Sequence, residues 1–211
     1  MTTALAERGY SVDAIDSVPA MIGLTRQLAI EKGVDNRIRA SVGDAHKLAF
    51  KDQAYDLVIV LGVTSWLRDL KKALGEMARV LKPCGYIVLN ADNRNRFINL
   101  FDPLSSPVLG STRRVLKRGL ERLGLRKPVQ PLFYLYSFKE FKEYLGEVNI
   151  LTLRCSYIGF GPFKFFGHRV FSDEIGVRIH RILQSWADRE NSVLRTTGAQ
   201  FVILAKKTNK I

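Results

Sequence analysis

Metal chemistry and disulfide scaffolding are the first classes this sequence argues against. Its 211 residues hold only two cysteines, Cys84 and Cys155, and three histidines. Neither cysteine stands at metal-ligand spacing, so both read as reduced thiols and no metal site is expected. Acidic residues are also scarce, 20 against 33 Lys and Arg, for a formal charge of +13. No apolar run approaches the roughly 18 to 20 residues that cross a bilayer, and the start lacks the pattern of a secretion signal. The expected location is therefore cytoplasmic. Internal repeats and low-complexity segments are absent too. What is left is a chain 46% apolar, long enough for one domain with room for an insertion.

The most informative stretch is Ser41 to Val63. Tyr55 to Leu61 is an apolar run broken only by Asp56 and closed by Gly62, which reads as a strand buried on both faces of a parallel sheet. Ile38 to Val42 is a second strand candidate, followed at once by Gly43, Asp44 and Ala45. An acidic residue leaving the carboxyl end of a parallel strand stands where open α/β sheets bind their ligands. The same rhythm extends both ways. Tyr10 to Ile15 alternates as a strand ending in Asp16, and Pro19 opens a helix that runs to about Lys32 and stops at Gly33. Asp69 to Leu81 has the apolar spacing of an amphipathic helix, a tight turn follows at Lys82 to Gly85, and Tyr86 to Asn90 is another strand. Later come a helix capped by Ser137, a strand near Ile150 to Tyr157, a helix from about Gly176 to Arg189 and a last strand, Ala199 to Ala205. Alternation of strand and helix predicts an α/β fold with a doubly wound, mostly parallel sheet.

Charge divides this chain into three parts. Between Arg94 and Lys127 lie nine basic residues against Asp102 and Glu121, over half of the whole excess. Residues 94–132, rich in proline around a basic helix from about Ser111 to Leu123, read as an insertion or lid between a partial core at 1–93 and its continuation at 133–211. A patch of that density meets something anionic: a membrane surface, a phosphorylated substrate or nucleic acid.

Three stretches in order, Gly9 to Ile22 (GYSVDAIDSVPAMI), Val42 to Val63 (VGDAHKLAFKDQAYDLVIVLGV) and Ala78 to Asn93 (ARVLKPCGYIVLNADN), resemble the class I S-adenosylmethionine-dependent methyltransferases. Thr196 to Lys207 resembles that family's closing antiparallel strand. The resemblance implies a Rossmann-like, three-layer sheet, S-adenosyl-L-methionine as cofactor, and methyl transfer to a small-molecule or lipid-linked acceptor. Asp16, with Ser17 after it, stands where the family's carboxylate accepts the ribose hydroxyls; it is equally placed as a cap for the helix at Pro19. Asp44 matches the residue that accepts from the adenine amino group, with the Ala45 backbone beside it, or is a solvated turn aspartate. Met21 would press on adenine or pack as helix core. Leu61 and Gly62 end the strand beneath the donor, where a side chain would crowd the cofactor, or Gly62 is only a strand stop.

Methyl transfer from a sulfonium needs in-line positioning above all, and a base only where the acceptor must lose a proton. His46 is expected in a surface loop, His180 in solvent, and His168 near the closing of an acceptor pocket. Thr64-Ser65-Trp66 occupies the place where many relatives show histidines, so no catalytic residue is assigned. The stretch GFGPFKFFG, Gly159 to Gly167, lacks the Lys-Ser/Thr of a phosphate loop, and Pro162 removes a donor. Its phenylalanines wall an apolar pocket or fill core. The basic insertion suits a lipid-linked acceptor or peripheral contact with an anionic membrane, or is a solvated lid. No RNA-binding module accompanies it, which argues against nucleic acid.

Relatives begin with a strand and a turn of the type D/E-x-G-x-G-x-G, which this sequence does not show. In the family's strand order that strand is central, between the one ending at Asp16 and Tyr55 to Leu61. The expectation is then one of three: the sequence describes most of an enzyme; the strand ending at Asp16 and the strand Tyr55 to Leu61 pair directly in a folded relative without activity; or another chain supplies the missing strand. A Rossmann-type dehydrogenase is the rival enzyme class, since Asp16 would serve its cofactor equally well.

Overall fold

The computed structural model describes residues 1–97, 134–161, 163–165, 168–189 and 194–208, with isolated positions between 115 and 124. The expected basic helix therefore lies outside the described residues apart from those isolated positions. Five helices and eight strands are described: α1 Thr2–Glu7, β1 Val12–Asp16, α2 Pro19–Glu31, β2 Ile38–Val42, β3 Tyr55–Val60, α3 Leu70–Val80, β4 Leu81–Asp92, α4 Phe138–Glu147, β5 Ile150–Ile158, β6 Lys164–Phe165, β7 His168–Arg169, α5 Asp173–Asp188 and β8 Gln200–Lys207.

Local chemistry accounts for most boundaries. Asp69 caps α3 by accepting the Lys72 N–H at 3.0 Å, and Ser137 caps α4 by accepting the Glu140 N–H at 3.2 Å, each satisfying a donor that the first helical turn leaves unpaired. At the other end of α3 the Lys207 ammonium donates to the carbonyls of Ala78 and Leu81, at 2.6 and 2.8 Å, so a cation from the last strand stabilises the helix's negative end. The turn expected at 82–85 is a bulge inside β4: the pairing jumps from Tyr55↔Leu81 to Leu57↔Tyr86. Cys84 takes φ +61 there, and a Cβ on Gly85 would stand 2.9 Å from the Lys82 carbonyl and 3.0 Å from that of Asp56. Only glycine fits so close an approach.

The strands form two sheets beside a short β6-β7 hairpin. β3-β4-β8-β5 is a four-stranded sheet in which β3 and β4 are parallel while β8 runs antiparallel to both β4 and β5. Its core is laid down by α3 and α4, with Leu74, Leu81, Phe141, Leu145, Phe201 and Ile203 wholly buried. β1 and β2 form a separate parallel pair against α2, whose Arg26 donates to the Ala40 carbonyl at 2.6 Å. This α/β, Rossmann-like mixed sheet agrees with the fold class read from the sequence.

The division into two sheets corrects one expectation. β3 is not buried on both faces: Asp56 and Leu57 are exposed, and among the described residues no strand pairs with β3 on the side away from β4. Among the described residues the edge of β1 opposite β2 has no partner strand either, so the expected direct pairing of β1 with β3 does not form. What joins the two edges is a side-chain bond, the Tyr55 hydroxyl donating to Asp13 at 2.9 Å, with Arg39 held on the same carboxylate at 2.7 Å. A tyrosine meeting a carboxylate spans more than the roughly 4.8 Å between paired strands. Burial and the bond to Asp13 push the Tyr55 hydroxyl well above its ordinary pKa.

Candidate cofactor site

The carboxyl ends of β1, β2, β3 and β4 carry the residues singled out in the sequence. Register brings two of them together. Asp16 pairs with Val42 at the end of the β1-β2 ladder, and the Gly43 N–H donates to the Asp16 carbonyl at 3.0 Å, so Asp44 leaves the sheet next to Asp16. The Asp16 carboxylate accepts the Val18 N–H at 2.8 Å. It tightens the turn before Pro19 without capping α2, whose cap residue is Val18. Ser17 is exposed beside it, and Met21, 48% exposed, is a surface residue of α2 rather than part of its core.

Asp44 is exposed and accepts both the backbone N–H of His46, at 2.9 Å, and the imidazole Nδ1, at 2.6 Å. The His46 N–H first and the imidazole second hold its carboxyl below the usual carboxylate range. His46 Nε2 accepts the Asp69 N–H at 3.3 Å, so the proton of a neutral ring sits on Nδ1 and points at Asp44. This histidine, expected as a plain surface loop residue, is a strut between the Asp44 turn and the start of α3.

The rest of that turn, including half-buried Ala45, is tied down by α3. Arg79 donates to the carbonyls of Leu48 and Phe50, at 2.9 and 2.8 Å, and to Glu76 and Asp52, while Glu76 accepts the Leu48 N–H at 2.8 Å. The Arg79 guanidinium, against the cost of partial burial, draws Glu76 down to about 2. A depressed carboxylate adds stability that is present above its unfolded pKa of about 4.3 and is lost as pH falls toward the folded value. Acid titration of the melting temperature should thus show a fall between about pH 4.3 and 2 that flattens in Glu76→Gln; an unchanged acid limb would show that Glu76 does not couple folding to pH.

Leu61 and Gly62 follow β3, both exposed. Gly62 has φ +73 and nothing within 4 Å of an added Cβ. Its backbone angle, not crowding by protein atoms, is what calls for glycine, and the space above it is open. Its N–H donates to the Asn90 side chain at 2.7 Å. From there runs a network that sequence reading missed: Asn90 donates to Gln200 at 3.1 Å, Gln200 to Asp92 at 3.2 Å, and the Ser65 hydroxyl to Asp92 at 2.7 Å. Buried Thr64 donates to the Asn90 carbonyl. The signal was present in Asn90 and Asp92, two polar residues at i, i+2 ending an apolar strand. Their partner Gln200 stands more than a hundred residues away and only the antiparallel pairing Asp92↔Gln200 brings it in.

Two cations of the basic segment are already engaged. Arg94 pairs with Glu140 at 3.2 Å and donates to the Leu135 carbonyl at 2.9 Å. Arg96 donates to the Asn93 carbonyl at 3.3 Å, and burial lowers its pKa against the pull of Asp92. Beyond β5 a cleft of about 390 Å³ separates Gly159–Phe163 from α5, walled by Phe163, Phe171 and Val177. Phe160 is fully buried against Ala187 and Leu194, so of the two readings for the aromatics this one is core. His180, expected in solvent, is half-buried with Nδ1 accepting the Phe160 N–H at 3.0 Å, and it fixes the loop to α5. His168 lies in β7, its side chain outside the described residues. Among the described residues no group of three or more His, Cys, Asp or Glu is placed to hold a metal. Neither cysteine is in a disulfide, and burial pushes Cys155 up to about 11.

Comparison with known proteins places this geometry. Residues 1–89 match the family described as Methyltransferase domain. Over these residues the chain is similar to the S-adenosylmethionine-dependent methyltransferases. An uncharacterized methyltransferase of Bacillus subtilis is 36% identical over 89 residues, 41% of this chain and 35% of its own length. The demethylmenaquinone methyltransferase of Thermus thermophilus is 36% identical over 81 residues, 38% of this chain and 36% of its own. The matched stretch thus spans about a third of the length of these curated methyltransferases. The likeness of fold is wider: the structure of an S-adenosylmethionine-dependent methyltransferase from Methanosarcina mazei aligns with TM-score 0.62 over 100% of this chain and 88% of its own, at 19% identity. S-adenosyl-L-methionine is the cofactor of the methyltransferases so matched. The ends of β1 and β2 carry the carboxylates of Asp16 and Asp44, and the space around Gly62 is open. Among the described residues no helix is long and apolar enough to cross a membrane.

Proposed function

We propose that the chain transfers a methyl group from S-adenosylmethionine to a small-molecule or lipid-linked acceptor. The observation that carries the reading is the juxtaposition of Asp16 and Asp44, which the Gly43-to-Asp16 bond at 3.0 Å enforces. When bound, the cofactor supplies an activated methyl group on a sulfonium. Asp16 is assigned to the ribose hydroxyls and Asp44, with the Ala45 N–H, to the adenine edge. Ser17 borders the ribose, Met21 covers the ring, and Leu61 and Gly62 floor the donor. No protein base is assigned. The Asn90–Gln200–Asp92–Ser65 network keeps the carboxyl end of β4 rigid beside the transfer path. A quinone is the acceptor class that the Thermus relative's name supports, and the Phe163–Phe171 cleft is wide enough and apolar enough for such a ring.

A second reading is favoured by one specific observation. The facing edges of β1 and β3 have no described partner strand, so a folded protein that holds the cofactor weakly or not at all, without catalysis, is the competing function. A thermal melt with excess S-adenosylhomocysteine separates the two. Ligand at about 100 times its dissociation constant should add roughly 2.7 kcal/mol; a cooperative melt indifferent to ligand overturns the transferase reading in favour of the second.

A further inference from the structure

We infer that α5 is a docking face for an anionic lipid surface. Its sixteen residues, Asp173–Asp188, make a rod of about 24 Å, and its two sides differ. Toward the protein it turns Ala187, buried, and Leu183, packed on the Phe160 cluster; His180 and Gln184 hold the backbone of Phe160 and Gly159. Toward solvent it turns Ile175, Ile182 and Trp186, respectively 51, 45 and 52% exposed. With half-buried Ile179 between them, these positions follow the i, i+4, i+7, i+11 spacing of one helical stripe.

What flanks the stripe identifies its occupant. On a helix of 100° per residue, Arg178 and Arg189 fall beside Ile182 and within about 60° of the stripe's axis; both are exposed. The helix's acids are on other bearings or already occupied: Asp173 pairs with Arg169 at 2.6 Å, and Asp188 accepts from Gln184 at 3.0 Å. Long aliphatic side chains, an interfacial tryptophan and flanking arginines are the composition of a helix lying in the plane of an anionic membrane, and a net charge of +13 favours approach to it. The inference rests on the lipid-linked acceptor of the function proposed above and places the membrane contact on a face outside the basic insertion.

The test uses the full chain carrying Trp66→Phe, so that emission reports Trp186, mixed with phosphatidylcholine vesicles with and without phosphatidylglycerol, in the absence of cofactor. The expected result is a blue shift and co-sedimentation with the anionic vesicles only. Ile182→Ser/Trp186→Ser should reduce sedimentation at least tenfold, and Arg178→Glu/Arg189→Glu severalfold, with circular dichroism unchanged in both. Three outcomes overturn the inference: no vesicle binding; binding that survives both double variants, which assigns the contact to basic residues elsewhere; and a blue shift that grows with protein concentration without lipid, which makes the face a contact between two copies. The S-adenosylhomocysteine melt is read separately, so docking and cofactor binding fail independently.

Discussion

Phe201→Ala should lower the unfolding free energy by about 3–5 kcal/mol. Phe201 is wholly buried in β8, the strand that pairs with both β4 and β5. Its ring meets Phe141 edge-on at 5.5 Å and Phe138 at 5.9 Å, and lies tilted to Tyr157 at 6.0 Å. Truncation removes the transfer energy of the ring and opens a cavity among the α4 and β5 side chains that cannot all collapse into it. Against a total stability of about 5–15 kcal/mol this is a large share, and for a chain of this size it corresponds to roughly 6–20 °C in melting temperature. Urea titration checks it: the midpoint falls while the slope stays constant. Leu57→Ala, at an exposed site on the open edge of β3, provides the contrast at under about 1 kcal/mol. Equal losses at the two positions would show that the centre of stability is not where packing puts it.

The second large effect concerns binding rather than folding. Asp16→Asn keeps an oxygen to accept the Val18 N–H, so the unliganded melt should stay within about 0.5 kcal/mol of the parent. It removes the charge that a pair of ribose hydroxyls would meet. Loss of a hydrogen bond to a charged group costs about 1.5–3 kcal/mol, and calorimetry should therefore show S-adenosylhomocysteine binding weakened about ten- to hundredfold. Unchanged affinity would remove Asp16 from the site and with it the assignment of the β1 end to ribose.

Most element boundaries were legible because local chemistry sets them. Ser137 caps its helix, Pro19 opens α2 and Ile38–Val42 forms β2 as read, while Asp69, read as the first residue of α3, is its cap. The apolar run at Tyr55 was correctly a strand and wrongly a fully buried one. Periodicity reports what a segment needs covered; it does not report whether a neighbour is there to cover it. His180 was misjudged for the same reason, since it is fixed by the Phe160 N–H; His46 lies in the loop after Asp44 as read, and the Asp69 N–H holds it there.

The sequence by itself determined the alternation of strands and helices, the excess of positive charge, and the placing of Asp16, Asp44 and Gly62 at strand ends, because these depend on spacing and on side-chain chemistry within a few residues. Tertiary structure decided everything that requires two distant segments to meet. It set Asp16 beside Asp44 through parallel pairing, closed Asn90 and Asp92 onto Gln200 across the antiparallel strand β8, and parted β1 from β3 so that one tyrosine and one aspartate bridge the two sheets. It also decided which side of α5 is covered. An amphipathic pattern fixes that a helix has two faces, but only packing against the Phe160 loop chose the histidine and glutamine side for the protein and left the isoleucines and Trp186 to the solvent.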